Sequence, residues 1–467
     1  MTPNNVRNPN HATRLVERNF RVTDGQLEVG DMTVAELAEK YGTPLFIYDR
    51  GLLSRQLDAL RSALTARFDI FYSIKANPNQ NILKFFVSQG CGLEIASAGE
   101  LLQALKAGCP AESIVFAGPG KRDEELAAAL ANEIGEIHVE SLGEVKRLAR
   151  LAESTGRRPR IALRVNPLGD AQGGAMRMGG KATPFGIDEE QLDEAVDQIV
   201  ATDRLDLVGV HLFTGTQILD HEVLITQYRR AVDIASRVAS RLGRPLETID
   251  FGGGLGIPYF AHETPLDLDA LAAGVAELIA DIRGDAMLRD ARLIVEPGRF
   301  LVGEAGLYVT RVIDVKTSRD KKFVVVDGGM HHHLAASGNL GQTIKRNYPV
   351  ALANKMGDSC STRQTADFEN GKAVSETVDV VGSLCTPLDV LARSIALPAP
   401  EVGDLFVVFQ SGAYARSASP LGFLSHDAPP EVCVDSQQDH LIRRRGAPND
   451  YLIGQTETPL NMSISTR

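Results

Sequence analysis

The stretch IFYSIKANPNQNILKFFVSQGCGLEIASAGELLQALKAG, residues 70–108, sets two short apolar runs, IFYSIK (70–75) and GLEIAS (92–97), ahead of AGELLQALKAG (98–108). The apolar residues of the last segment recur at helical spacing, so the stretch reads strand, connection, strand, amphipathic helix. The same rhythm extends outward on both sides. Further candidate strands are LFIYD (45–49), SIVFAG (113–118), EIHVES (136–141), RIALRVN (160–166), LVGVHLFTG (207–215), TIDFGG (248–253) and RLIVEPG (292–298), with LGEVKRLARLAESTG (142–156) as a second amphipathic stretch. Repeated βα units call for parallel strands with covering helices. Eight or nine such units at fairly regular spacing favour an α/β fold closed as a (β/α)8 barrel over an open sheet.

The character changes after about residue 305. LYVTRVIDVKTS (307–318), KKFVVVDGG (321–329), ETVDVVGSLC (376–385) and DLFVVFQSGAY (404–414) read as strands joined by turns. The expected division is therefore a barrel over 45–305 and a β-rich barrel or sandwich domain over 306–435. Residues 1–44 would join the β domain, with FRVTDGQLEVGDM (20–32) supplying a strand to it, and 436–467 would form a peripheral tail. The polar segment 351–373 reads as a surface loop.

Composition narrows the function. Of the 467 residues, 43% are hydrophobic and 23% charged, an ordinary globular balance. The net charge of −11, without a long basic run, disfavours nucleic acid or an anionic membrane as partner. No apolar run is long enough to span a bilayer, and MTPNNVRNPNHATRLVERNF lacks the apolar core of a signal peptide. The five cysteines, Cys91, Cys109, Cys360, Cys385 and Cys433, form neither a disulfide framework nor a zinc spacing. A cytoplasmic enzyme without a metal is the expectation.

In a barrel of this kind, chemistry belongs where strands end. Lys75 stands at such an end, before Ala76-Asn77-Pro78. It is either a solvated surface charge or a desolvated amine of lowered pKa, fit to form an imine. Gly252, Gly253 and Gly254 follow another strand in Asp250-Phe251-Gly252-Gly253-Gly254-Leu255-Gly256. Such a triplet makes a tight turn or brings backbone N–H groups close to a phosphate. Ile257 occupies the last glycine position of a dinucleotide fingerprint, and no Walker motif is present. Glu296-Pro297-Gly298-Arg299 gives either a structural ion pair or the carboxylate and guanidinium that a pyridinium ring and its phosphate require.

Taken together, FYSIKANPN, GLEIASAGEL, LRVNP, DFGGGLGIPY, EPGRF, GSLCTPLD and SGAY occur in the order found in the fold-type III pyridoxal-phosphate decarboxylases, which include diaminopimelate, ornithine and arginine decarboxylases. The chain resembles this family over about residues 20–435. The resemblance implies an alanine-racemase-like barrel carrying pyridoxal 5'-phosphate, a β domain, and a homodimer with shared active sites. It implies Lys75 as the Schiff-base lysine and Glu296 as the partner of the pyridine nitrogen. Gly252, Gly253, Gly254, Gly298, Arg299, Tyr414 and Thr216 would surround the phosphate, with Glu94, Arg164 and His211 lining the pocket. Cys385 matches the cysteine that enters from the neighbouring subunit to serve in protonation.

Three departures bear on the substrate. The family commonly reads His-x-His-x-Gly-Ser, whereas His211-Leu212-Phe213-Thr214-Gly215-Thr216 puts Phe213 in the stacking position, where a phenyl ring stacks but does not titrate. Thr386 follows Cys385 where diamine-forming members carry an acid for the distal ammonium, and Asp389 matches a different position. The segment after Val326-Asp327-Gly328-Gly329-Met330 reads His331-His332-His333, and Arg346 and Tyr348 lie beyond the spacing of a distal-carboxylate site; with Thr386 and Asp389 they are nonetheless the candidate substrate-binding residues. Consecutive histidines point in different directions and rarely share one ion. MHHHLAASGNLGQ, CTPLD and GAYARSASPLGFLSH resemble a biosynthetic branch that includes exosortase-associated decarboxylases and the decarboxylase of carrier-linked glutamate in butirosin biosynthesis. The resemblance implies an amino acid, free or carrier-linked, as substrate. Diaminopimelate decarboxylation, racemisation on the same barrel and a catalytically dead binding relative are the rival readings.

Overall fold

The computed structural model describes residues 11–168, 176–177, 182–340, 342, 345–356, 368–369, 372–373 and 375–456. Eight parallel strands form the barrel: Phe68–Ser73, Gly92–Ile95, Ile114–Phe116, Glu136–Val139, Arg160–Asn166, Asp206–His211, Thr248–Asp250 and Arg292–Val295. They pair in sequence order, and the register Leu293↔Phe68, Ile294↔Asp69, Val295↔Ile70 joins the last strand to the first. Helices follow the strands, and several βα turns supply a side-chain cap. Ser97 and Ser141 accept the backbone N–H of Glu100 and Glu144 at 3.2 and 3.0 Å. Val145, Leu148 and Ala152 form the buried face of Leu142–Thr155 at helical spacing. Inside the barrel, Phe71, Val115 and Ile294 make a small apolar cluster. Gly92 leaves room for it, since a Cβ there would lie 2.5 Å from the Phe71 ring.

The structure corrects the expected boundaries. LFIYD does not enter the barrel: Leu45–Asp49 pairs antiparallel with Gly306–Ser318 and parallel with Glu431–Asp435 in the second sheet. The eighth helical position is filled instead by Arg50–Leu64, which precedes the first barrel strand and packs on Leu268–Gly284. All five residues of Leu45–Asp49 are buried, a pattern that suits a covered strand of either domain, so periodicity alone could not assign it. FRVTDGQLEVGDM adds no strand to that sheet. It forms a three-stranded meander of its own, Arg21–Thr23, Gln26–Val29 and Met32–Thr33. The tail is not peripheral throughout, because Gln438–Arg443 pairs with Glu431–Asp435 as an edge strand. Most of the expected loop 351–373 lies outside the described residues, although Val350–Leu352 is a strand paired with Leu405–Val408.

The second sheet runs in the spatial order Val390–Pro398, Ser375–Val381, Lys321–Val326, Gly306–Ser318, Leu45–Asp49, Glu431–Asp435, Gln438–Arg443, with Leu405–Val408 also pairing along Gly306–Ser318. One face is covered by helix His11–Asn19 and the segment 26–38, through Leu15, Leu27 and Leu37 packed with Leu45, Ile47, Leu307 and Val432. No helix among the described residues is long and apolar enough to cross a membrane. Because Ile47 is fully buried in this layer, Ile47→Ala is expected to cost about 2–5 kcal/mol, read as a lower urea midpoint. Ile313→Ala, at an exposed site, is expected to change stability by less than about 0.5 kcal/mol.

Candidate active site

At the C-terminal mouth of the barrel a cavity is lined by residues from almost every strand end, and by Tyr414 from the second domain. Lys75 lies in the single turn Ile74–Ala76 just past its strand. Its Nζ donates to Glu94 Oε1 and Oε2 at 3.0 and 2.8 Å, and Ser73 Oγ donates to the same carboxylate. Burial alone would lower the amine's pKa, but the carboxylates of Glu94 and Glu296 outweigh it and hold the pKa above the usual lysine value. The lowered pKa of the imine reading is thereby corrected: beside Glu94, the Lys75 amine is favoured as an ammonium. Glu100 stands behind Glu94, its pKa pushed up to about 7 by burial and by Glu94 itself.

Opposite Lys75, Glu296 Oε2 lies 3.3 Å from His211 Nε2, with both side chains buried. Burial and the nearby Arg164 guanidinium push the His211 pKa well down, leaving a neutral ring. Arg164 donates to Glu140 at 2.7 Å and lies over Phe185 and Phe213, its guanidinium carbon 5.2 and 5.9 Å from their ring centres. Arg299 has a different setting. Its guanidinium donates to Tyr259 Oη at 2.9 Å and packs 4.7 Å over the Tyr414 ring, and its Nε has no partner. Among the described residues Arg299 has no carboxylate partner, so the expected Glu296–Arg299 pair does not form. A buried guanidinium edge without an anion is the feature that an anionic group of a ligand would satisfy.

Gly252 and Gly254 take positive φ values of +65° and +95°. A Cβ on Gly253 would lie 2.4 Å from the Glu296 carbonyl oxygen. The triplet is thus required by the turn itself, which brings backbone to the cavity wall. Gly253, Gly254, Thr216, Gly298, Arg299 and Tyr414 all line the cavity, as do Lys75, Glu94, Arg164, His211, Phe213 and Glu296. Gly252 sits immediately behind, its N–H donated to Asp250 Oδ1 at 2.8 Å.

Besides Gly252, five expected residues do not line the cavity of a single chain. Cys385 is exposed on the turn between Ser375–Val381 and Val390–Pro398, and Thr386 Oγ1 accepts Leu388 N–H in the same turn at 3.3 Å. Asp389 is buried and accepts the N–H groups of Met330 and Leu384 at 2.6 and 2.9 Å, tying two loops together. Arg346 lies outside, 3.0 Å from His262 and over Phe260. Tyr348 is buried against Tyr259, behind Arg299. The histidine run is also packed: His331 lies on His332, which meets Tyr308 Oη at 3.0 Å, and His333 meets Ser411 at 3.0 Å.

Other lining groups escaped the sequence reading. Gly118, at the end of SIVFAG, and Pro119 after it line the cavity, and Phe185 does so beyond the strand Arg160–Asn166. Glu140, which accepts Arg164 at the cavity's edge, could have been found, because it stands near the end of EIHVES as Lys75 ends IFYSIK.

A parallel barrel with a lysine, a buried carboxylate and an unpaired guanidinium around one mouth is the arrangement of a cofactor-dependent lyase. The chain belongs to the pyridoxal-dependent decarboxylases: residues 50–303 match the model of the pyridoxal binding domain of that family. It is 37% identical to the L-glutamyl-[BtrI acyl-carrier protein] decarboxylase of Niallia circulans, over 92% of this chain and 97% of that protein. It is 33% identical to the diaminopimelate decarboxylase of Methanothermobacter thermautotrophicus, over 92% and 96% respectively. The crystal structure of diaminopimelate decarboxylase from M. jannaschii superposes with a TM-score of 0.84 at 26% identity, over 95% of this chain and 99% of that one. The (β/α)8 barrel with its separate β-sheet domain matches the alanine-racemase-like expectation.

Glu94 raises the Lys75 pKa, so Glu94→Gln is expected to lower it. The pH profile of covalent cofactor attachment, followed by visible absorbance, should then shift to lower pH; an unchanged profile would remove Glu94 from this role.

Proposed function

We propose that the chain decarboxylates an α-amino acid carried on a larger thioester-linked carrier, with a glutamyl group as the first candidate. The observation that supports this most is the full-length likeness to the carrier-linked glutamate decarboxylase. It is joined by neutral Thr386 beside Cys385. Thr386 would leave a distal ammonium without a charge partner, which is costly once buried. Arg346 lies outside the cavity, so it offers no clamp for a distal carboxylate. Diaminopimelate decarboxylation is the second reading, favoured by the 33% identity and the close superposition.

The residues fit pyridoxal phosphate. Lys75 would hold it covalently, Glu296 would face the ring nitrogen, and Phe213 would cover one face of the ring. Arg299, Thr216, Gly253, Gly254 and Tyr414 would surround the phosphate, where the Arg299 guanidinium supplies the charge. When bound, the cofactor supplies an electron sink for the pair left on Cα as carbon dioxide departs. The protein's share is then proton placement and exclusion of water. Glu94 would orient the Lys75 amine at the cavity mouth, and the amine becomes a nucleophile once it has lost a proton. His211 Nε2, 3.3 Å from Glu296 Oε2, would steady that carboxylate beside the ring.

Cys385 is a proton donor only if a second chain brings it to the cavity, so the proposed enzyme is a homodimer with shared sites. Its setting is cytoplasmic, consistent with unpaired thiols among the described cysteines. Incubating the holoenzyme with glutamyl-loaded carrier and with a panel of free amino acids, with mass-spectrometric detection of carbon dioxide loss, tests the reading. Loss from the loaded carrier is expected. Efficient turnover of free diaminopimelate would overturn the substrate while leaving the reaction class in place.

A further inference from the structure

Barrel interiors are filled mainly by branched apolar side chains, and half of this one is not. Beneath the cavity floor, Glu136 and His138 from one strand meet His211, Asp250 and Glu296 from three others, and each of these five side chains is buried. His138 is their hub. Its Nδ1 lies 3.9 Å from Glu296 Oε1, its Nε2 lies 3.8 Å from Asp250 Oδ2 and 3.9 Å from Glu136 Oε2, and its ring centre is 4.5 Å from that of His211. Neither nitrogen of His138 has a hydrogen-bond partner, nor do the three carboxylate oxygens that face it. The remaining oxygens are engaged: Asp250 Oδ1 accepts Gly252 N–H at 2.8 Å and Glu136 Oε1 accepts the Thr248 hydroxyl at 2.5 Å.

Unpaired buried polar atoms call for an explanation. Three ionised carboxylates packed together in the lumen repel one another; Arg160 lies 3.9 Å from the far oxygen of Glu136, while Lys121 is paired with Glu144 and Arg164 with Glu140. The cluster therefore retains protons. A neutral imidazole is a donor at one nitrogen and an acceptor at the other. A small turn of the ring lets it serve a carboxylate on each side.

We propose that His138 is a positioning residue that links Glu296 to a proton kept on Asp250, Nδ1–H donating to Glu296 and Nε2 accepting from Asp250 Oδ2. Glu296 is thereby held toward the cavity, with His211 Nε2 3.3 Å from its other oxygen. This rests on the reading that Glu296 faces the ring nitrogen of the cofactor. The electrostatics agree with the geometry: burial and then the Glu296 charge push the Asp250 pKa up, while burial and then the neighbouring His211 push that of His138 well down. The groups facing His138 are then Glu136, Asp250, Glu296, His211, Lys121 and Arg164. His138, His211, Asp250 and Glu296 also have ligand atoms within 4.8 Å of one another. A single ion would use only one nitrogen of His138, however, and the two nitrogens face different carboxylates.

Two measurements on the holoenzyme test this. In 15N-histidine NMR of the wild type, with His138→Asn to assign the signal, His138 is expected as the neutral Nδ1–H tautomer. An imidazolium or the Nε2–H tautomer would overturn the proposal. With 15N-labelled pyridoxal phosphate, the ring nitrogen is expected to stay protonated in the wild type and in His138→Asn, whose amide keeps one donor and one acceptor. In His138→Leu its deprotonation midpoint should fall by at least about one pH unit, a tenfold shift. An unchanged midpoint in His138→Leu, or one bound metal ion per wild-type chain by elemental analysis, would contradict it. If bound cofactor shows Glu296 away from the ring nitrogen while the Nδ1–H tautomer is found, the cofactor reading fails and the His138 arrangement stands.

Discussion

The contact between the Lys75 ammonium and the Glu94 carboxylate is set by the pairing of the first two barrel strands, and the rest of the site is arranged around it. The two residues come from neighbouring strands whose register, Phe71↔Gly92 to Ser73↔Glu94, sets the carboxylate beside the lysine turn. Gly92 permits that register because it leaves the barrel interior to Phe71. One glycine at the start of a strand thus helps to place a carboxylate two residues later. On the opposite side of the mouth the Gly252–Gly254 turn packs backbone to backbone against Glu296, so the two carboxylates that act on Lys75 are each held by a close approach that only glycine allows.

Charge is distributed unevenly around the cavity, and the distribution matches a planar cofactor with an anionic tail. Lys75 and Arg164 are already neutralised by Glu94 and Glu140, whereas Arg299 is surrounded by tyrosines. The only guanidinium of the cavity lining left without a carboxylate, among the described residues, is the one beside the glycine turn and Tyr414. Tyr414 comes from the second domain, its backbone N–H donated to Ala76 O at 2.9 Å and its φ at +56°. The β domain therefore contributes to the site by locking the Lys75 turn as well as by supplying a ring.

Much of this was legible in the sequence, and the omissions have physical causes. Lys75, the Gly252–Gly254 turn and Glu296 were legible because βα periodicity and strand-end chemistry coincide there, whereas Glu94, Arg164 and His211 were placed in the pocket only by the family resemblance. Leu45–Asp49 was misassigned because a buried strand carries the same apolar signature in either domain. His138 and Asp250 were passed over as candidates in their own right because inward and outward residues differ only in parity along a strand. Their meeting inside the lumen is a property of the closed ring. Arg346 and Tyr348 were sought as substrate contacts from motif order, but a loop's position relative to a cavity is set by packing: Tyr348 is held behind Arg299 by Tyr259, and Arg346 turns outward to His262.

Lys75 is the residue proposed to carry the cofactor, and the roles of its neighbours follow from that. Borohydride reduction of the purified holoenzyme, followed by proteolysis and mass spectrometry, reads this directly. A phosphopyridoxyl group on the peptide containing Lys75, absent from Lys75→Ala, is the predicted result. A modification on another lysine, or none on a protein that retains its fold and its visible absorbance, would contradict it.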